Sequence, residues 1–140
     1  MDWTVFWSAA SAVFTGLTAF IAVLAILRWR KQDELKAKLN FKMAVANYAF
    51  QLTQMPEKLD QPHVRHTQVD NCQQLTRLLS ACNNAWMICE GLLDKNDKVC
   101  YSWKYVFDNN KNYFSGELTK HELGERCMII LALLNKSNFC

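Results

Sequence analysis

Glycine and proline are scarce in this chain, four and two among 140 residues, and no run of β-branched residues alternates with polar ones. With so few turn formers and no period-two pattern, sheet architectures are excluded and an all-α protein is expected. Cysteine is more frequent, but Cys72, Cys82, Cys89, Cys100, Cys127 and Cys140 include no Cys-x-x-Cys pair. His63 and His66 with Cys72 match no closed metal site, because a fourth ligand is missing. A Gly-rich phosphate loop and a Ser-His-Asp arrangement are also missing. His121, Glu122, Glu125 and Arg126 cluster, but they occupy the first turns of a helix, where acids favour the dipole. No catalytic, cofactor-binding or metal-ligating residue is therefore expected.

Charge is missing where it matters most. From Val5 to Leu27 there are 23 residues without one charged side chain. A helix of that length spans roughly 34 Å, against about 30 Å of bilayer hydrocarbon. Trp3, Trp7 and Trp29 sit near the two ends, like interfacial anchors. A cleaved signal would want base ahead of the apolar run, where this chain has Met1-Asp2-Trp3. A soluble core helix would want a polar stripe. A retained membrane span satisfies both points. Beyond it Arg28, Arg30, Lys31, Lys36, Lys38 and Lys42 face only Asp33 and Glu34, and six minus two leaves +4. The positive-inside rule puts the N-terminus outside and the C-terminus in the cytoplasm, across a cell inner membrane. Arg28, Arg30, Lys31, Lys36 and Lys38 are expected to meet anionic lipid headgroups, with nucleic acid the less favoured partner. A cytoplasmic placement also predicts free, mostly buried thiols for the six cysteines.

Within the span, small residues recur on one side. Ser8, Ala12, Thr15, Ala19 and Ala22 are separated by 4, 3, 4 and 3 positions. Ser11, Thr18 and Ala25 widen this stripe on one flank and Gly16 on the other, while Phe6, Val13, Leu17, Phe20, Leu24 and Leu27 fall opposite. Lipid supplies no hydrophobic drive between helices, so small faces that permit close van der Waals contact hold spans together. Ser8, Ser11, Ala12, Thr15, Gly16, Thr18, Ala19 and Ala22 are the expected self-association face, and in a ring the hydroxyls would line a lumen. A monomeric tether is the alternative.

The first helix is expected to continue without a break to about residue 54, because Met55-Pro56 forces the chain out of the α region. Along it Leu35, Leu39, Met43, Ala46 and Phe50 recur at intervals of three or four. The chain thus divides into an anchor over 1–30 (span about 5–27), a juxtamembrane helix over 31–55, a loop over 56–68 that holds both prolines, and a helical bundle over 69–140. In the bundle, a helix from about Thr67 or Asp70 carries the seam Leu75, Leu79, Cys82, Trp86, Cys89 and Leu93, spaced 4, 3, 4, 3 and 4. LLDKNDK breaks that helix, and VCYSWKYVF forms a short one packing through Trp103, Val106 and Phe107. Thr119 and Glu122 make a Ser/Thr-x-x-Glu capping box ahead of a last helix lined by Leu123, Cys127, Ile130, Leu131 and Leu134.

An outward N-terminus, one short anchor, a basic stop and a small cytoplasmic helical domain resemble bacterial single-pass membrane effectors of the antiphage and abortive-infection type. The layout is similar to the membrane accessory proteins of RNA-targeting CRISPR systems, which implies ring assembly in the membrane. The Arg-to-His signature associated with those proteins has no counterpart after Arg28, Arg30, Arg65, Arg77 or Arg126, and His121 and Arg126 stand in reverse order. No functional residue carries over. The expected function is a homo-oligomer that permeabilises the membrane; the rival is a tethered adaptor whose bundle recruits a cytoplasmic protein.

Overall fold

The computed structural model describes residues 3–93 and 97–136. Five helices follow one another with no strand among the described residues: α1 (Trp3–Thr53), α2 (Pro62–Thr67), α3 (Val69–Leu93), α4 (Asp97–Ser115) and α5 (Lys120–Lys136). The protein is an all-α chain in which a long N-terminal apolar helix leads into a smaller helical bundle. It divides into two compact units, Met1–Leu35 and Lys36–Cys140.

The first unit consists of the start of α1. Its side chains are exposed along almost the whole length, and none of its most apolar window is buried. This is one helix long and apolar enough to cross a membrane. At its start Trp3 meets Phe6 edge-on at 6.4 Å, and Phe6 meets Trp7 at 6.0 Å.

The second unit is built around the remainder of α1. Ala37, Phe41, Val45, Tyr48 and Leu52 are buried there. The stripe read from spacing, Leu35, Leu39, Met43, Ala46 and Phe50, is exposed instead, with Met43 63% and Phe50 66% accessible. Both stripes have helical spacing, and the aromatic content of the buried one decides the matter. The Phe41 ring packs on Trp86 at 5.2 Å and on Trp103 at 5.5 Å, which joins α1 to α3 and α4. The Tyr48 hydroxyl donates to Asn110 Oδ1 at 2.7 Å, so its burial leaves the phenol satisfied. Of the α3 seam, Leu75, Cys82, Trp86, Cys89 and Leu93 are buried and Leu79 is half-buried against the core.

The corner between α4 and α5 clamps the end of α1. The Lys120 ammonium donates to Met55 O at 2.9 Å and Thr53 O at 3.4 Å, satisfying carbonyls that a helix end leaves open. Lys120 N donates to Glu57 O at 3.0 Å, and the Tyr113 hydroxyl donates to Pro56 O at 2.6 Å. Between Pro56 and α3 the expected loop contains a short helix, α2, with Pro62 in its first turn, where the missing N–H costs nothing.

α4 runs well past the VCYSWKYVF stretch, although DNNKNYFS has poor helix propensity. Asn109 Nδ2 donates to Tyr105 O and Asn112 Nδ2 to Asn109 Oδ1, both at 2.9 Å, and buried Tyr113 anchors the extra turns. Trp103 and Val106 are buried, whereas Phe107 is 45% exposed with its ring 5.9 Å from Trp103. The expected break at LLDKNDK falls partly outside the described residues, at 94–96.

The capping box ahead of α5 is formed as the spacing predicts. Thr119 N donates to Glu122 Oε2 at 3.0 Å, and Glu122 N donates to Thr119 Oγ1 at 3.4 Å. Thr119 N, and the Thr119 hydroxyl donating to the same Oε2 at 2.9 Å, hold the Glu122 carboxyl below its ordinary value of 4.5. A depressed acid contributes stability at pH above 4.5, and that contribution is lost as pH falls through the folded-state value. Glu122→Gln should flatten this acid limb in a pH series of thermal melts; an unchanged limb would remove the cap from the account.

Candidate self-association face and bundle seam

Two sets of residues stand as candidate sites, one in each unit. Ser8, Ser11, Ala12, Thr15, Gly16, Thr18, Ala19 and Ala22 are all exposed on α1. Thr4, Val5, Ser8, Ala9 and Ala12 line a shallow groove of about 400 Å³, the dent left where side chains are short. A Cβ added at Gly16 meets nothing within 4 Å. Among the described residues nothing packs on this face that would require its side chains to be short.

Two of the four hydroxyls on this face, those of Thr15 and Thr18, are already engaged. Thr15 Oγ1 donates to Ser11 O at 2.8 Å, and Thr18 Oγ1 donates to Phe14 O. Each threonine spends its one proton on the carbonyl four residues back, the usual way to hide a donor in hydrocarbon. What remains outward is an oxygen with spare acceptor capacity, suited to weak Cα–H donors of a close-packed helix.

The basic residues after the span do not share one environment. Arg28, Arg30, Lys31 and Lys36 are exposed. Lys38 is half-buried, and its charge acts on the Cys89 thiol of α3, so it belongs to the bundle surface. The aromatic Trp29 beside them is 68% exposed.

No protein-family model, no characterised protein and no solved structure matches this chain.

The seam of α3 is an interior surface. Burial pushes the Cys82 and Cys127 thiols up to about 12 and Cys89 to about 11. A nucleophilic cysteine needs the opposite shift, so these three act as small apolar filler. Among the described residues no three His, Cys, Asp or Glu side chains converge as a metal site would require. In the His121–Arg126 cluster, Glu122 is committed to Thr119, and the Arg126 guanidinium stacks over Tyr105 at 4.9 Å and Tyr101 at 5.8 Å. Sequence reading missed that stacking, because it joins α5 to α4 and no local pattern announces it. Cys140 lies outside the described residues.

Proposed function

We propose that this protein is a single-pass protein of a bacterial inner membrane, N-terminus outside and bundle in the cytoplasm, that assembles with copies of itself through the span. As an oligomer it perturbs or permeabilises the membrane, in the manner of a defence or toxin-like effector. One observation carries the reading. The small-residue face is wholly exposed, and among the described residues no contact accounts for the short side chains. Such a face lets helix backbones approach in lipid, where packing replaces hydrophobic drive.

Leakage of a trapped dye from liposomes tests this. Wild type should release dye, and Ala12→Leu with Thr15→Leu and Ala19→Leu should bring release to background, since three isobutyl groups hold the backbones apart. A silent wild type, or undiminished leakage by the triple variant, overturns the proposal. The adaptor reading draws on the exposed Leu39, Met43 and Phe50 of the bundle unit. A poly-Leu replacement of residues 5–27 separates the two, because an adaptor keeps full activity and a span-driven assembly loses it.

A further inference from the structure

Counted in sevens along α1, the small residues of the span and the exposed apolar residues beyond it fall in one register. With Ser8 at position a of a heptad, every a and d position as far as Ala25 is small: Ser8, Ser11, Thr15, Thr18, Ala22 and Ala25. The same count, carried through the unbroken helix, brings Leu39, Met43, Ala46 and Phe50 to d, a, d and a. Trp29, Gln32 and Lys36 stand between the two stretches, where the uncharged run has ended. Paired helices need such a change of side chain on passing from lipid to water. In hydrocarbon, small residues let backbones close up; in water, larger apolar side chains are driven together.

Burial is an independent observation. The residues of α1 buried in the bundle are Ala37, Phe41, Val45, Tyr48, Gln51 and Leu52. Their heptad positions are b, f, c, f, b and c, all on the side of a coiled-coil helix turned away from its partner. Leu39, Met43, Ala46 and Phe50 are exposed. The bundle therefore packs on the back of this part of α1 and leaves its a/d seam clear.

We propose that a second copy of this chain covers the seam, parallel and in register, so that α1 pairs as a left-handed coiled coil over residues 39–50. The inference rests on the proposed assembly of the span, which brings the two faces within reach. Two heptads cover much less than the roughly 800 Å² per partner of a stable interface, so a free partner would be held weakly. A copy already joined through the span meets the seam at an effective concentration on the order of millimolar. Charge fits the same arrangement. In parallel register Arg28 at g faces Asp33 at e of the copy, and the next such pairs, Leu35 with Asn40 and Lys42 with Asn47, oppose no like charges. The exposed Leu39, Met43 and Phe50 are then covered by a copy rather than by a different protein.

Photocrosslinking of the full chain in the membranes of expressing cells tests this. Thr15, Met43, Phe50 and Met87 are replaced one at a time by p-benzoylphenylalanine, and products are identified by mass spectrometry. A product of two copies is expected from positions 43 and 50 and not from 87, a comparably exposed methionine of α3. Met43→Glu sets two acids against each other in the seam. It should lower the product at position 50 about tenfold while helical content holds, since the side chain is exposed. A two-copy product at position 15 with none at 43 or 50 overturns this inference and leaves the span assembly standing. Products at 43 and 50 with none at 15 support the seam and overturn the small-residue face. No two-copy product at any position overturns both. Equal yield at 87, or a product with a different protein at 43 and 50, also overturns the inference, the latter in favour of the adaptor.

Discussion

Phe41→Ala is expected to lower the stability of the bundle by about 3–5 kcal/mol, the usual cost of emptying a buried phenylalanine site. The ring has no solvent exposure and sits where three helices meet, 5.2 Å from Trp86 and 5.5 Å from Trp103. Part of the cost is transfer of apolar area, and part is the two aromatic contacts, each worth roughly 0.5–1.5 kcal/mol beyond area. The indoles cannot close the gap, because Trp103 is also held by Phe107. Against a total of about 5–15 kcal/mol for a domain, this is a large share, and the midpoint should fall by on the order of 10 °C or more. Near-UV circular dichroism of the full chain in detergent follows the loss directly. Phe41→Leu, which keeps most of the volume, should cost far less. A loss below about 1 kcal/mol for the alanine variant would mean that α1 is not the centre of the bundle.

The second large effect is expected at Gly116, the residue that ends α4. Its φ is +83°, the left-handed region open to glycine, and Gly116 N donates to Tyr113 O at 3.1 Å while Glu117 N reaches Asn112 O at 2.9 Å. An added Cβ would stand 2.6 Å from Asp60 Cα and 2.8 Å from Asp60 N, which are backbone atoms with no rotamer to escape into. Gly116→Ala therefore carries a left-handed penalty of roughly 1–2 kcal/mol, with displacement of residues 59–60 added to it, for about 3 kcal/mol in all. The same displacement would loosen the clamp of Lys120 and Tyr113 on the end of α1. Gly91→Ala is the matched control, because a Cβ there meets nothing within 4 Å and the residue lies in α3. It should stabilise the chain by up to about 1 kcal/mol, through helix propensity alone. Chemical denaturation of both variants checks the pair. Equal midpoints for the two would remove the steric argument.

The candidate sites differ in how far they could be read before the structure. The long apolar helix and the stripe of small residues along it were legible, since both depend only on helical periodicity along one segment. The packing of Arg126 was not. Tyr101 and Tyr105 on α4 meet Arg126 on α5 only after the chain turns at Gly116. The sequence reading took Arg126 as part of a helix-start cluster, because nothing local places two tyrosine rings under its guanidinium.

Local chemistry alone determined the helical class, the uncharged run over Val5–Leu27, the stop at Met55-Pro56 and the Thr119–Glu122 cap. Each of these depends on residues within a turn or two of one another, through backbone sterics, hydrogen bonds to nearby amides or continuous apolar length. Tertiary structure decided which side of α1 faces inward, how far α4 extends and what Arg126 stands against. Two apolar stripes of equal periodicity share the second half of α1, and only the one presenting Phe41 and Tyr48 finds rings and an amide on other helices to receive it. Packing of that kind is set by the shape of the partner surface, which spacing along one helix does not contain.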